Sequence, residues 1–181
     1  ALKPTQGGIH RGERQATSMS THGPHAGCIE DMWIVAIEIA KRTGGDPGRR
    51  GLMGPSTPPS PIKPERLIVL ETEGWDRVDQ ASHSAFARFL DLAKAAGISL
   101  IHRTDHPAVE ALETSIADAT HVCGTITAWE NRWALRNLIN RSPDGVSQRT
   151  KDTVSKAESL EPDDYRSLLL ARAHARHCHT E

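Results

Sequence analysis

Arg66-Leu67-Ile68-Val69-Leu70-Glu71 is a short apolar run bounded by charge, and the chain returns to the same pattern at Ile98-Ser99-Leu100-Ile101-His102. Continuous apolar runs of this length suit strands buried on both faces, as in a parallel or mixed sheet. Between them, 78–96 carries Phe86, Phe89, Leu90 and Ala93 at three- and four-residue steps and stops at Gly97, the pattern of a helix with one buried face. Strand, helix, strand predicts a βαβ unit over 65–104 with a right-handed crossover. Two strands make a marginal sheet, so further strands are expected to complete it. The fold class that follows is α/β: a mixed sheet flanked by helices, in a chain that is mostly helical.

Working outward, the stretch 46–64 holds Pro47, Pro55, Pro58, Pro59, Pro61 and Pro64 and cannot sustain helix or sheet ladders, so it is expected to be a linker. Before it, 28–45 reads as a helix. Ile29, Met32, Trp33, Ala36, Ile39 and Ala40 mark its apolar face, Glu30 and Asp31 suit its N-terminus, and Gly44-Gly45 end it. Residues 1–27 are rich in Gly, Ser, Thr and His and are expected to be irregular. Beyond 105 the pattern is helical to the end. Asp105 or His106 is expected to cap a helix opened by Pro107, a second follows over 119–140 with a break at Gly124, and Ser142-Pro143-Asp144-Gly145 forms a turn. Val146 to Ser159 reads as a polar helix and Glu161-Pro162-Asp163-Asp164 opens a last one holding Tyr165, Leu168, Leu169 and Ala173.

Composition narrows the function classes. In 181 residues, 37% are hydrophobic and 4% aromatic, which permits one modest domain whose core comes mainly from helices. A formal charge of -1 argues against a nucleic-acid partner, since neutralising phosphates needs a concentrated basic field. No apolar run approaches the roughly 20 residues that span a bilayer and no signal peptide is visible, so a cytoplasmic chain without a membrane partner is expected. Cys28, Cys123 and Cys178 are odd in number and far apart, which favours free thiols.

Several side chains invite chemical readings. His174, His177, Cys178 and His179 are zinc-competent types, but no second ligand cluster stands at matching spacing upstream, so neither a metal nor another cofactor is assigned. His10, His22 and His25 lie near Ser18, Ser20 and Thr21, yet no Gly-x-Ser-x-Gly or Ser-x-x-Lys motif organises a nucleophile, and no catalytic residue is assigned. Glu110, Glu113, Asp118, Glu130 and Asp152, beside Arg132, Arg136 and Lys156, are expected to form solvated helix faces. Trp129 and Trp133, one helical turn apart, are expected in a core or an interface.

The order of the N-terminal segments resembles the amidase signature family. Ala1-Leu2-Lys3-Pro4-Thr5 and Gly7-Gly8-Ile9 are similar to the family's Gly-hydrophobic-Lys-Pro-Thr-x-Gly stretch. Ser18-Met19-Ser20-Thr21-His22-Gly23-Pro24 is similar to its Ser-Leu-Asp-x-x-Gly-Pro segment, and the helix opened by Glu30-Asp31 ends, as in the family, near Gly44-Gly45-Asp46-Pro47. The strand leading to Gly74-Trp75-Asp76, the Ala96-Gly97-Ile98 turn and Leu160-Glu161-Pro162-Asp163-Asp164-Tyr165 continue the similarity over most of the chain. Ser20 stands where the family has Asp, and Cys28 where it has a Ser or Thr cap, a poorer cap by about 1 kcal/mol.

The resemblance implies a partial amidase-signature fold over 1–181 and hydrolysis of a carboxamide C–N bond through an acyl-enzyme. The family uses a serine, a bridging serine in a cis peptide and a lysine, all N-terminal to the Lys-Pro-Thr motif, so the chain is expected to be an internal portion of an amidase and inert by itself. Lys3 matches the motif's lysine, which is not the catalytic base. The substrate-side contacts implied are Ser18, Thr21 and His22, for which turn stabilisation is the competing reading. The partner implied is a small-molecule amide in the full-length parent; oligomeric state is not legible. The alternative from another class is a non-enzymatic interaction or scaffold protein derived from an amidase, using the Trp129 and Trp133 face.

Overall fold

The computed structural model describes residues 1–12 and 18–180. Its elements in chain order are α1 (Ile29–Thr43), β1 (Arg66–Ile68), α2 (Gln80–Ala95), β2 (Ser99–Ile101), α3 (Pro107–Ser115), α4 (Ala119–Arg141), α5 (Gln148–Glu158) and α6 (Pro162–Thr180), with short 3-10 turns at Trp75–Arg77 and Pro143–Gly145. The described residues are mostly helical with one small parallel sheet, a mixed α/β composition. They form two compact units. One comprises Ala1–Pro61 with Glu130–Gly145, the other Ile62–Trp129 with Val146–Glu181.

The second unit contains the βαβ segment. β1 and β2 pair in parallel, with Arg66, Leu67 and Ile68 opposite Ser99, Leu100 and Ile101. The Asp79 carboxylate accepts a 2.7 Å hydrogen bond from the Ser82 N–H and so caps α2, answering one of the donors a helix start leaves unpaired. His106 rather than Asp105 caps α3, its Nδ1 accepting from the Ala108 N–H at 3.2 Å, and Pro107 takes the first helical position. α2 packs on β2 and α3 on α6. Val69, Ala93, Val109, Leu112, Ile126, Val154 and Ala157 are the buried apolar side chains of this unit.

Several expectations are corrected here. The first strand is shorter than 66–71, and it alternates instead of being buried on both faces: Arg66 and Ile68 are exposed and Leu67 is half-buried. A two-stranded sheet has too few layers around it to cover both faces, so the period of two reappears. On α2, Ala93 is buried, Phe86 and Leu90 are half-buried and Phe89 lies open, stacked beside Phe86 at 6.3 Å between ring centres. α4 runs unbroken through Gly124, because a glycine weakens a helix by about 1 kcal/mol without removing its N–H from the ladder. Glu113, expected on a solvated face, is buried on α3 beside Leu112.

The first unit has its own buried apolar side chains. Among the described residues they are Ile9, Ala36, Ile37, Ala40 and Ile139; on α1 the expected face holds at Ala36 and Ala40, with Met32 and Trp33 half-buried, while Ile37 joins it and Ile29 and Ile39 are exposed. Cys28 does cap α1, with Sγ accepting from the Asp31 N–H at 3.4 Å. Between Asp46 and Pro64 the chain forms no helix or strand, as its prolines dictate.

Candidate functional site

The segments that carry the family resemblance are laced together by backbone hydrogen bonds within the first unit. The Leu2 N–H donates to the Pro24 carbonyl at 3.0 Å, joining the Lys-Pro-Thr stretch to the His-Gly-Pro stretch. The next residues run along the end of α1: His10 N–H donates to Gly44 O at 2.9 Å, Asp46 N–H to Gly7 O at 2.9 Å and Leu52 N–H to Gly8 O at 2.6 Å. Such ladders make the residue types at the crossings strict. A Cβ on Gly23 would stand 1.9 Å from the Leu2 carbonyl oxygen, and one on Gly45 would stand 2.8 Å from Arg49 O and 2.9 Å from Gly7 O, all inside van der Waals contact.

One ion pair fastens this lacing. Asp46 accepts from the Arg11 backbone N–H at 2.9 Å and from Arg11 Nε at 2.6 Å, with the two side chains 13% and 11% exposed. The Arg11 backbone N–H and then its guanidinium favour the ionised carboxyl and hold its pKa below the usual Asp value, against the opposing effect of burial. Arg11 Nη1 also donates to Ser20 O at 3.0 Å, so one arginine ties three segments.

The three sequence candidates fall in different surroundings. Ser18 donates from both its N–H and its hydroxyl to the Glu130 carboxylate on α4, and its carbonyl accepts from the Gln6 side chain. Both oxygens of one carboxylate are engaged with one residue, a geometry that holds the segment rather than one that frees a nucleophile. The Thr21 hydroxyl donates to Pro4 O at 3.2 Å, a turn-stabilising contact. His22 places Nε2 3.4 Å from Arg11 O and lines a cleft of about 270 Å³, together with Ile9, His10, Pro24 and Ile39. His10 Nδ1 accepts from Gly12 N–H at 3.0 Å. The cleft can therefore admit a small apolar group flanked by two imidazoles.

At the C-terminus, Cys178 Sγ lies 3.7 Å from His174 Nε2, and among the described residues no group of three or more His, Cys, Asp or Glu side chains is placed to hold a metal ion. Trp129 stacks on Tyr165 with centroids 5.4 Å apart, while Trp133 is 68% exposed beneath the Arg132 guanidinium.

Two participants were not singled out from sequence. Glu130 looks like any surface carboxylate on a helix, and its pairing with Ser18 spans more than a hundred positions of chain. Asp46 belongs to a quoted motif, but nothing local points it at Arg11. Comparison of the chain with protein-family models, with curated proteins and with solved structures gives no match.

Proposed function

We propose that the chain is a portion of an amidase of the amidase signature family, cytoplasmic, whose full-length form cleaves a carboxamide C–N bond. One observation carries the reading: the stretches Leu2–Thr5, Gly7–His10, Thr21–Pro24 and Gly44–Asp46, each weak as a motif, meet in one hydrogen-bonded unit.

In such an enzyme a serine oxygen attacks the amide carbon, the C–N bond breaks as the amine leaves with a proton, and water then splits the acyl ester. No residue of this chain matches that serine or its lysine base. Its part would be to shape the wall beside the acyl group, with His22 facing the cleft and Ser18 and Thr21 holding the wall in place. No helix among the described residues is long and apolar enough to cross a membrane.

The test is the coding sequence upstream of the Ala1 codon, together with the purified chain incubated with a panel of simple amides. An in-frame Gly/Ser-rich stretch with two serines and a lysine, and no turnover by the isolated chain, are the expected results. Turnover traced to the chain itself would overturn the inert assignment. An in-frame stop would favour the second reading, a non-enzymatic interaction protein, which the exposed Trp133 ring supports.

A further inference from the structure

In the second unit, one face of the β1–β2 sheet meets the start of α3 and the end of α6 around a cavity of about 350 Å³. That volume is enough for a small molecule. Three observations bear on which kind.

The first is the floor. Ile68 on β1 and Ile101, opposite it on β2, share a sheet face, and Val109 and Leu112 close the other side from α3. Val109 and Leu112 are buried, but Ile68 is 57% exposed, so a large apolar side chain is left open at the cavity. An alkyl chain seated on it would take that surface out of water, a favourable transfer.

The second is the charge around the floor. The ionisable side chains of the lining are Arg66, His106, His179 and the Cys178 thiol, and no carboxylate is among them. Arg77 and Arg103 are each paired with a glutamate, whereas Arg66 forms no ion pair or hydrogen bond through its side chain with any described residue. Its guanidinium therefore keeps all its donors for another acceptor. His106 Nδ1 accepts the Ala108 N–H in capping α3, which leaves Nε2 as the N–H of the neutral ring, a further donor. The first turn of α3, part of the same lining, is the positive end of that helix's dipole.

The third bears on metals. Cys178 Sγ lies 3.7 Å from His174 Nε2, one turn back on α6, yet among the described residues no three His, Cys, Asp or Glu side chains are close enough to share a metal ion. A guanidinium beside the floor also repels a cation. An apolar floor, basic groups around it and no acid in the lining suit a carboxylate with an alkyl tail.

We propose that this cavity binds a small aliphatic carboxylic acid as its anion, with Arg66 on the carboxylate and the tail across Ile68 and Ile101. The site lies within the second unit and does not rest on the amidase reading.

Cys178 lines the cavity and serves as a reporter in the test. Iodoacetate alkylates a thiol sulfur with loss of iodide and the thiol proton, and neutral iodoacetamide does the same. The ratio of their rates at one cysteine therefore measures its local preference for a carboxylate. Followed by mass spectrometry of the full chain near neutral pH, this ratio should be about tenfold higher at Cys178 than at the exposed Cys123. Hexanoate at about 10 mM should slow both reactions at Cys178 about tenfold, as a Kd of about 1 mM gives for a ligand of this size, while hexanamide and acetate leave them unchanged. Arg66→Gln should lower the ratio to that of Cys123 and remove the hexanoate protection. The histidines and arginines at the end of α6 attract iodoacetate without any cavity, so a second variant separates the two effects. Ala108→Leu fills the cavity, leaves every charge in place and should also remove the protection. A ratio at Cys178 no higher than at Cys123 would overturn the proposal, as would the absence of hexanoate protection in the native chain. Equal protection by hexanamide, or hexanoate protection that survives either variant, would do the same.

Discussion

The two compact units of this chain are held by different means. In the first, a buried apolar set of Ile9, Ala36, Ile37, Ala40 and Ile139 is joined by backbone ladders between Leu2 and Pro24, Gly8 and Leu52, and His10 and Gly44, fastened by Arg11 and Asp46. In the second, Ile126 and Val154 are fully buried and α3 packs on α6, with the short β1–β2 ladder as its sheet. A backbone-laced unit is sensitive to what cannot be added, a side-chain-packed unit to what cannot be removed. The glycines show it directly, since a Cβ at Gly23 or Gly45 collides with main chain while one at Gly124 meets nothing within 4 Å.

The sharpest way to break the contrast is Gly23→Ala. The new methyl would force Leu2 and Pro24 apart, and a loss of about 3 kcal/mol is expected in the first unit. Hydrogen exchange at the Leu2, His10 and Leu52 amides would report it, while the Val109 and Val154 amides should be unmoved; equal loss in both units would make the division meaningless.

Acid should act next, and selectively. Asp46 has a folded pKa below its unfolded value, so its contribution is complete above the unfolded Asp range, near about 3.9, and is lost as pH falls through the folded pKa. Protection of the Asp46 and His10 amides should fall on acidification in the native chain, and Asp46→Asn should show reduced protection that no longer depends on pH in this window. A variant that kept the native acid response would remove Asp46 from the role.

The smallest effect should be of opposite sign. Gly124→Ala fills open space on a continuous helix and is expected to stabilise by about 1 kcal/mol, read as a higher denaturant midpoint at unchanged slope. Destabilisation there would mean that the glycine serves a close approach.

Much of this was legible before any coordinates. The strand, helix, strand order over 65–104, a cap at Asp105 or His106 with Pro107 behind it, and the proline-driven absence of structure in 46–64 are local consequences of residue type. The candidate site was legible only as an ordered set of short stretches. Ser18, Thr21 and His22 sit on one of them, but their roles divided: His22 faces a cleft, and the two hydroxyls act as fasteners. Nothing near Ser18 in sequence announces Glu130.

What the sequence determined by itself is whatever depends on a residue and its near neighbours: φ restriction at proline, the caps at Cys28 and before Pro107, the helical periods and the strand, helix, strand order. Tertiary structure decided which faces those elements turned inward, that Glu113 is buried rather than solvated, and that Arg11 meets Asp46. The physical reason is that burial and ion pairing are set by what lies across a gap. Periodicity describes one side of that gap, and only the packed chain supplies the other.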